Sequence, residues 1–248
     1  MDKQHRNQIA KEFRDCVLNT INRMQNEETH RPFHAALLSD EALFWSRFER
    51  SFSTSFGQRV IEEISDIVVI SAGATESSRQ KETIIEIDTA YDNAISAHIS
   101  SLRERQRKNW NDSVASIQTA TPIGKTITHR IISDLWWKKD DVNHYISIKT
   151  VKPNIDQTAI AKEDLLRLYI FDPTCKVYFG LYYNPYGENK LSYSHNPPMS
   201  IFDFRHDDVV LIGREYWDTL GGPGTYEIVL SIAREIGAET REILGKIR

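Results

Sequence analysis

The middle of the chain, residues 126–150, is rich in β-branched and aromatic side chains, with a polar turn at residues 140–143. This composition around a turn predicts two antiparallel strands. Pro153 and Asn154 stop the second strand, and residues 157–168 have the apolar spacing of a helix. A hairpin followed at once by a helix constrains the fold more than any other segment, because it requires a sheet covered by helices.

The N-terminal half is predicted to be mainly helical. Ile9, Phe13, Val17, Ile21 and Met24 recur every three or four residues, which gives one apolar stripe. Ser39 is the N-cap expected for a second helix. The remaining predictions are a helix around residues 58–64, an apolar run at 67–70, one long helix at 81–110, strands at 176–183 and 208–212, and a C-terminal helix at 226–244.

The chain shows neither an internal repeat nor a clear linker, so one α/β domain over residues 1–248 is expected. Its first part, residues 1–115, is mostly helical, and residues 116–248 carry the sheet and the C-terminal helix. No apolar stretch approaches the ~20 residues that span a bilayer, and nothing resembles a signal peptide. The two cysteines, Cys16 and Cys175, lie far apart in the sequence, which favours a reducing cytoplasm.

The formal net charge is −4, so no overall positive field indicates a nucleic-acid partner. A locally basic cleft remains compatible with this balance. The most basic segment, residues 103–108, makes Arg103 and Arg107 candidates for contacts with DNA phosphates. The alternative is a solvated helix end that the helix dipole favours.

One acid, one lysine and a second acid surround the predicted hairpin. Alternation along the second strand places Ser147 and Lys149 on the same face. Asp134 precedes Lys149 by 15 residues, at the start of the other strand, and the turn can bring it close to Lys149. Glu163 follows Lys149 by 14 residues, on the next helix.

These residue types match the needs of phosphodiester hydrolysis. Carboxylates such as Asp134 and Glu163 are suitable ligands for Mg²⁺, which prefers hard oxygen ligands and keeps several waters. The metal polarises the phosphoryl oxygens and lowers the pKa of a bound water. Lys149 can orient that water and stabilise charge that develops on the phosphate.

The constellation resembles the catalytic motif of the PD-(D/E)XK nuclease superfamily, which includes most Type II restriction endonucleases. The residue before Asp134 is Ser133 instead of proline, and Ser147 occupies the position of the expected second acid. Restriction enzymes of the CCGG group also have Ser-x-Lys and take the missing carboxylate from the next helix. Glu163 stands at that group's spacing, so the resemblance implies a relocated acid and a mixed central sheet flanked by helices.

The resemblance also implies further roles. Related nucleases add a carboxylate from an N-terminal helix to the metal cluster, which makes Glu63 a candidate ligand and Glu62 its alternative. The CCGG group reads bases with an Arg-x-Asp-Arg run after the lysine, and the corresponding stretch here has no arginine. The candidates for base contacts are therefore Lys152, Asn154, Asp156 and Gln157.

Three other segments look like those of restriction enzymes that read GG/CC sites with central spacers: residues 48–58, 149–157 and 216–222. The resemblance therefore implies a Mg²⁺-dependent endonuclease that cuts double-stranded DNA at a short palindromic GG/CC site. A palindrome implies a homodimer. Cleavage of duplex DNA implies a methyltransferase of the same system, in the cytoplasm of a bacterial or archaeal host.

Alternatives remain open at this point. A repair or recombination nuclease could have the same fold, and Ser147 could mark a degenerate site in a DNA-binding domain. The simplest alternative is that Asp134 caps a turn while Lys149 and Glu163 form a surface ion pair, worth about 0–1 kcal/mol. Similarly, Trp136 and Trp137 could stack on bases, although packing in the core is the stronger expectation.

Overall fold

A computed structural model describes residues 1–26, 30–104, 109–196 and 198–245. It contains a mixed five-stranded sheet flanked by helices. The elements in chain order are α1 (Lys3–Asn26), α2 (Pro32–Leu37), α3 (Asp40–Ser55), a π-helical turn (Phe56–Val60), α4 (Ile61–Ser71), β1 (Glu76–Asp88), α5 (Thr89–Arg103), α6 (Trp110–Gln118), β2 (Thr126–Lys139), β3 (Val142–Lys149), α7 (Ile155–Phe171), β4 (Lys176–Leu181), β5 (Val210–Ile212), α8 (Arg214–Gly221) and α9 (Thr225–Gly245). No helix in these described ranges is long and apolar enough to cross a membrane.

The chain divides into two compact units. The helical unit comprises Met1–Ile67 and Glu227–Arg248, and the sheet unit comprises Val68–Tyr226. Within the helical unit, Phe13 of α1 stacks on Phe56 with ring centroids 5.9 Å apart. All five strands belong to the sheet unit, which therefore contains the predicted catalytic residues.

The strands follow the order β1-β2-β3-β4-β5 across the sheet. The pairs β1–β2 and β2–β3 are antiparallel, whereas β3–β4 and β4–β5 are parallel. The hairpin β2–β3 turns at Asp140 and Asp141, both of which have a positive φ, as a tight hairpin turn requires. The return from β3 to a parallel β4 needs a crossover, and α7 provides it.

The core of the sheet unit lies between the sheet and the helices α5 and α7. Tyr145 of β3 and Phe179 of β4 belong to this core together with Leu165 and Leu166 of α7. Since side chains alternate along a strand, Ser147 and Lys149 point to the same face as Tyr145. The face of β3 that carries the candidate catalytic lysine is therefore the face covered by α7.

Several predicted elements are confirmed. The hairpin at residues 126–150, the helix after it, the strands β4 and β5 and the C-terminal helix all form close to their predicted bounds. Ser39 is the N-cap of α3, because its side chain accepts a hydrogen bond from the main-chain N–H of Ala42. Trp136 and Trp137 are 8% and 2% exposed, which confirms that they pack in the core.

The long helix predicted for residues 81–110 is wrong in its first part. Residues Glu76–Asp88 form β1, and a helix begins only at Thr89, where Asp88 is the N-cap. The apolar residues Ile84 and Ile87 fit a helical spacing as well as they fit a strand. The structure is decided by the long antiparallel pairing of β1 with β2, from Glu76–Lys138 to Asp88–Thr126, which no local pattern reveals.

A buried lysine, Lys162, holds helix α7 against the segment that contains Ile201. The ammonium group of Lys162 is fully buried, donates a hydrogen bond to the carbonyl oxygen of Ile201 at 2.7 Å, and lies 5.0 Å from the ring centroid of Phe202. Burial lowers the pKa of Lys162 to about 8, and the charge of Asp207 opposes this shift. This lysine fixes the helix that carries Glu163.

The close approach of β4 to α8 predicts the effect of a small substitution. A Cβ on Gly180 would lie 2.6 Å from the Tyr216 ring and 2.7 Å from Ile146 Cδ1. We expect Gly180→Ala to lower the free energy of unfolding by about 1–3 kcal/mol, because the packed rings must move. Chemical denaturation measures this change.

Gly237→Ala is the matched control, since a Cβ there meets nothing within 4 Å and the residue lies inside α9. It should stabilise the protein by about 0.5–1 kcal/mol through helix propensity. Equal stability of Gly180→Ala and the unmodified protein would contradict the packing argument.

The pKa of Lys162 predicts a pH dependence. Between pH 8 and 10.5 the unfolded chain binds a proton that the folded chain has lost. The free energy of unfolding therefore gains up to about 3 kcal/mol across this window as pH rises. We expect Lys162→Met to lack this gain, so the stability difference between the unmodified protein and the variant should grow with pH. Denaturation curves at several pH values would show a constant difference if the argument is wrong.

Candidate active site

Asp134 lies inside β2, at the point where β2 and β3 separate. The prediction that it starts the strand is wrong, because β2 continues well before Asp134 to pair with β1. The pairing between β2 and β3 runs from Lys139–Val142 to Leu135–Ile146 and goes no further. The next opposed residues, Asp134 and Ser147, interact through their side chains instead.

One oxygen of Asp134 accepts three hydrogen bonds from β3. Its Oδ2 atom lies 2.6 Å from the main-chain nitrogen of Ile148, 3.0 Å from Nζ of Lys149 and 3.3 Å from Oγ of Ser147. The carboxylate thus satisfies a main-chain N–H that the ladder leaves without a partner. Asp134, Ser147 and Lys149 are brought together as the sequence predicts.

The ion pair of Asp134 and Lys149 is partly buried, with side-chain exposures of 18% and 25%. Partial burial reduces screening by water, so the lysine is held more firmly than in an exposed pair. The simplest alternative, a surface pair of Lys149 with Glu163, is not what the structure contains. Lys149 pairs with Asp134, and Glu163 has other partners.

Gln80 is a residue that the sequence did not indicate. It lies in β1 opposite Asp134, and its Nε2 atom is 3.4 Å from Oδ1 of Asp134. Its φ of 48° falls in the left-handed region, which costs an L-residue about 1–2 kcal/mol. Such strain often accompanies functional sites. No local pattern could reveal it, because the cause is the register of β1 with β2.

Glu163 is held by side chains on α5 and α7. Its Oε1 atom accepts hydrogen bonds from Arg167 at 2.7 Å and from Ser96 at 3.3 Å. Arg167 also donates to Oδ1 of Asp92 at 2.9 Å, so one guanidinium joins α5 to α7. The spacing of Glu163 and Arg167, four residues on one helix, is the only sequence feature that could have indicated this contact.

The field of Lys149 reaches α7. Burial raises the pKa of Asp164, the neighbour of Glu163, and the positive charges of Arg167 and Lys149 oppose this rise. The lysine of β3 and the acidic segment of α7 are therefore in electrostatic range of each other. This agrees with the shared face of the sheet that β3 and α7 bury.

Each of the two predicted acids keeps one oxygen largely available. Oδ2 of Asp134 has three donors, whereas Oδ1 has only the long contact with Gln80. Oε1 of Glu163 has two donors, and Oε2 has none among the residues that the structure describes. Carboxylate oxygens of this kind are ligands that suit Mg²⁺. Within the same described residues, no group of three or more His, Cys, Asp or Glu side chains is arranged to hold a metal ion.

Glu62 and Glu63 lie in the first turn of α4, within the helical unit. The charge of Glu63 contributes, after those of Asp15 and Glu12, to the raised pKa of Lys11 on α1. Whether either glutamate joins the metal site stays a prediction.

The four candidates for base contacts lie around the start of α7, and all four are exposed. Asn154 is the N-cap of this helix, because its Oδ1 accepts a hydrogen bond from the main-chain N–H of Gln157 at 2.8 Å. Its amide NH₂ group is still a possible donor. Lys152 lies 5.6 Å from the centroid of the Tyr186 ring. Exposure fits contact with a ligand, but it does not assign one.

Asp156 and Arg103, both predicted to contact DNA, form an ion pair with each other. Either residue would have to release the other before it could bind a base or a phosphate. Arg107 lies outside the described residues.

Comparisons with known proteins find relatives over most of the chain. The chain matches the family model described as Type II restriction endonuclease, HinfI, over residues 1–237. The Type II restriction enzyme HgiEI of Herpetosiphon aurantiacus is 29% identical over 252 aligned positions, which cover 98% of this chain and 90% of that protein. HgiBI and HgiCII, Type II restriction enzymes of the same organism, are 30% and 28% identical over 226 positions, covering 88% of this chain and 81% of each relative.

Gln80 allows a test that separates stability from activity. Gln80→Ala and Gln80→Gly both remove the amide that faces Asp134, so we expect both to slow DNA cleavage by roughly tenfold or less. Only the glycine variant relieves the positive φ, and it should be about 1 kcal/mol more stable than the alanine variant. Initial cleavage rates and denaturation curves measure the two effects. Cleavage at the unmodified rate by both variants would show that Gln80 does not position Asp134.

Proposed function

This chain belongs to the HinfI family of Type II restriction endonucleases, and we propose that it uses Mg²⁺ to hydrolyse double-stranded DNA at a short palindromic site that contains GG/CC. Family membership makes it a site-specific deoxyribonuclease, so the repair nuclease and the degenerate DNA-binding domain are set aside. The observation that carries the catalytic assignment is the contact of Asp134 with Lys149 and Ser147 where β2 and β3 separate. This is the arrangement expected of a PD-(D/E)XK site.

In the proposed mechanism Lys149 acts on the phosphate. Asp134 holds its ammonium group at 3.0 Å, which fixes the direction of the lysine side chain. An ammonium group held in place can orient a water molecule and donate to the oxygens that gain charge during hydrolysis. The main-chain N–H of Ile148 and the hydroxyl of Ser147 keep Asp134 from turning away.

Asp134 and Glu163 are the residues that would hold the metal. Hydrogen bonds fix Oδ2 of Asp134 and Oε1 of Glu163. The second oxygens, Oδ1 of Asp134 and Oε2 of Glu163, are the proposed ligand atoms. A bound Mg²⁺ would supply a Lewis acid for the phosphoryl oxygen and lower the pKa of a water molecule. Glu63, with Glu62 as its alternative, stays a candidate for a third carboxylate.

Ser147 supports the proposal that the second acid has moved to α7. The hydroxyl of Ser147 is neutral and does not supply the negative charge that a carboxylate brings to a Mg²⁺ site, and it is used here to hold Asp134. Arg167 and Ser96 fix Glu163 on the helix that covers the face of Lys149. These contacts account for a carboxylate supplied from the helix instead of the strand.

Recognition of a palindrome is best explained by a homodimer, since two-fold symmetry presents one set of side chains to each half-site. Lys152, Asn154, Asp156 and Gln157 are the proposed readers of bases, and Arg103 and Arg107 are proposed to contact phosphates. We also propose a methyltransferase of the same system that protects the host DNA. The cell would be bacterial or archaeal, and the site of action its cytoplasm.

Incubation of the purified protein with phage DNA, with and without Mg²⁺, tests the central proposal. We expect discrete fragments only with Mg²⁺, and sequencing of their ends gives the recognition site. Asp134→Asn, Lys149→Ala and Glu163→Gln should each slow cleavage by about 10²-fold or more. The first and third remove a carboxylate that would hold the metal, and the second removes the ammonium group that acts on the phosphate. Cleavage by Lys149→Ala at the unmodified rate would contradict the assignment.

Asp164→Asn is the matched control for Glu163→Gln, since the two acids are neighbours on α7. It should cleave within a few-fold of the unmodified rate. Titration of metal binding by calorimetry should show weaker binding for Glu163→Gln but not for Asp164→Asn. The reverse result would assign the metal ligand to Asp164 instead of Glu163.

A double substitution tests relocation directly. Ser147→Glu combined with Glu163→Ala restores a carboxylate two residues before Lys149, and we expect it to retain some cleavage where Glu163→Ala alone has almost none. Equal loss in both variants would show that moving one carboxylate does not explain the site.

A further inference from the structure

The helical unit contains a cavity of about 650 Å³ that none of the catalytic assignments uses. The cavity lies between α1 and the segment where α3 continues into the π-helical turn. The charged residues of its lining are Glu12, Asp15, Arg23 and Arg59, and Ser55 lies beside them. All of these belong to the helical unit. A cavity of this size is large enough for a phosphate group with its attached sugar.

Two guanidinium groups reach this cavity without a carboxylate partner among the described residues. Within the described chain Arg23 donates to hydroxyl groups alone, to Oγ of Ser55 at 2.5 Å and to Oγ1 of Thr20 at 3.3 Å. Arg59 is exposed at the cavity and forms no hydrogen bond or ion pair within the described chain. Both positive charges oppose the effect of burial, which raises the pKa of Cys16 to about 11. They therefore act on the same point inside the cavity.

The acids of the cavity precede Arg23 along α1. Asp15 lies eight residues before Arg23, which corresponds to about 12 Å along a helix, and Glu12 acts on Cys16 with the opposite sign to the two arginines. Lys11 compensates these acids, because it pairs with Asp15 at 2.7 Å and lies 3.9 Å from Glu12. Arg23, its hydrogen-bond partner Ser55 and Arg59, about one turn beyond Ser55, form the basic end of the cavity, which no carboxylate of the described chain pairs with.

Hydroxyl and amide groups surround the basic end. Oγ of Ser55 accepts the hydrogen bond from Arg23, so the hydrogen of this hydroxyl can still be donated. Asn19 also lines the cavity, whereas the hydroxyl of Thr54 is already donated to the carbonyl oxygen of Arg50. Guanidinium groups with neighbouring hydroxyl and amide donors are the chemistry that binds a phosphate. The π-helical turn lies between Ser55 and Arg59, and such turns are frequent at functional sites.

We infer that the basic end of this cavity, formed by Arg23, Ser55 and Arg59, binds a phosphate of the DNA backbone. The contact adds affinity that does not depend on sequence, because phosphates carry no base identity. It rests on the proposed function only in that the ligand is the duplex substrate. It also gives a role to residues 48–58, a segment that resembles other restriction enzymes and contributes nothing to the catalytic contacts.

Salt dependence of DNA binding tests the inference. The probe is a fluorescent 30-base-pair duplex of arbitrary sequence, bound by the full chain without divalent metal so that no cleavage occurs. Each phosphate contact contributes about 0.9 to the slope of log K against log salt concentration. We expect Arg59→Ala to lower that slope by about this amount and to weaken binding roughly three- to tenfold at about 100 mM salt. Arg23→Ala should act in the same direction.

Arg14→Ala is the matched control. Arg14 lies on the same helix, but Glu239 holds its guanidinium at 2.7 Å, so its removal should leave the slope unchanged. Arg59 has no contact in the described chain whose loss could unfold the protein, which keeps its variant interpretable even if Arg23→Ala folds poorly. An unchanged slope for Arg59→Ala would overturn the inference.

Two further measurements separate the possible outcomes. Inorganic phosphate and a mononucleotide are tested by thermal shift. If Arg59→Ala abolishes a phosphate-induced shift but leaves the DNA slope unchanged, the cavity binds free phosphate and the inference about DNA is wrong. Cleavage of phage DNA with Mg²⁺ is measured in parallel. Loss of cleavage in Asp134→Asn with an unaltered slope in Arg59→Ala would uphold the proposed function and reject this site.

Discussion

The replacement of a main-chain hydrogen bond by the side chain of Asp134 is the interaction on which the site depends. Strand β2 pairs with β1 from Thr126 to Lys138, with a gap at Asp134, while β3 leaves β2 after Ile146 and continues beside β4. The N–H of Ile148 would have no partner at this point, and a buried donor without a partner costs about 1–3 kcal/mol. The carboxylate of Asp134 accepts that hydrogen bond at 2.6 Å. The separation of the strands and the position of the acid therefore have one structural cause.

A single guanidinium has a similar role on the helices above the sheet. Arg167, whose side chain is 13% exposed, joins Glu163 of α7 to Asp92 of α5. The arginine thus fixes the direction of the Glu163 carboxylate through Oε1. It leaves Oε2 of Glu163 unoccupied by donors of the described chain. It therefore positions the acid without occupying both of its oxygens.

The extent to which the sequence predicts this structure differs between local and non-local features. The hairpin and helix of residues 126–168 can be predicted from the sequence, because the signals for them are local and agree with one another. These signals are the alternation of side chains along the strands, a polar turn and the Asn154 cap. The proximity of Asp134, Ser147 and Lys149 follows from the pairing of the strands in that hairpin. The sequence of β1 also predicts a helix, because its isoleucines fit the spacing of a helix as well as that of a strand. Only the pairing with β2 decides between the two. The roles of Gln80 and Asp92 cannot be predicted from the sequence for the same reason, since each residue acquires its role from a partner distant in sequence.

The negative net charge of −4 is compatible with a DNA substrate because charges act where they are not already neutralised. Arg14 and Arg130 each have a carboxylate partner at the surface, so their removal changes the field at a phosphate little. Among the residues that the structure describes, Arg23 and Arg59 have no carboxylate partner at the cavity of the helical unit. At the catalytic site, a bound cation would compete with Lys149 for Asp134 and so increase the positive charge that faces the phosphate. Affinity for DNA therefore depends on which cations lack a carboxylate, and the total charge is a poor guide to it.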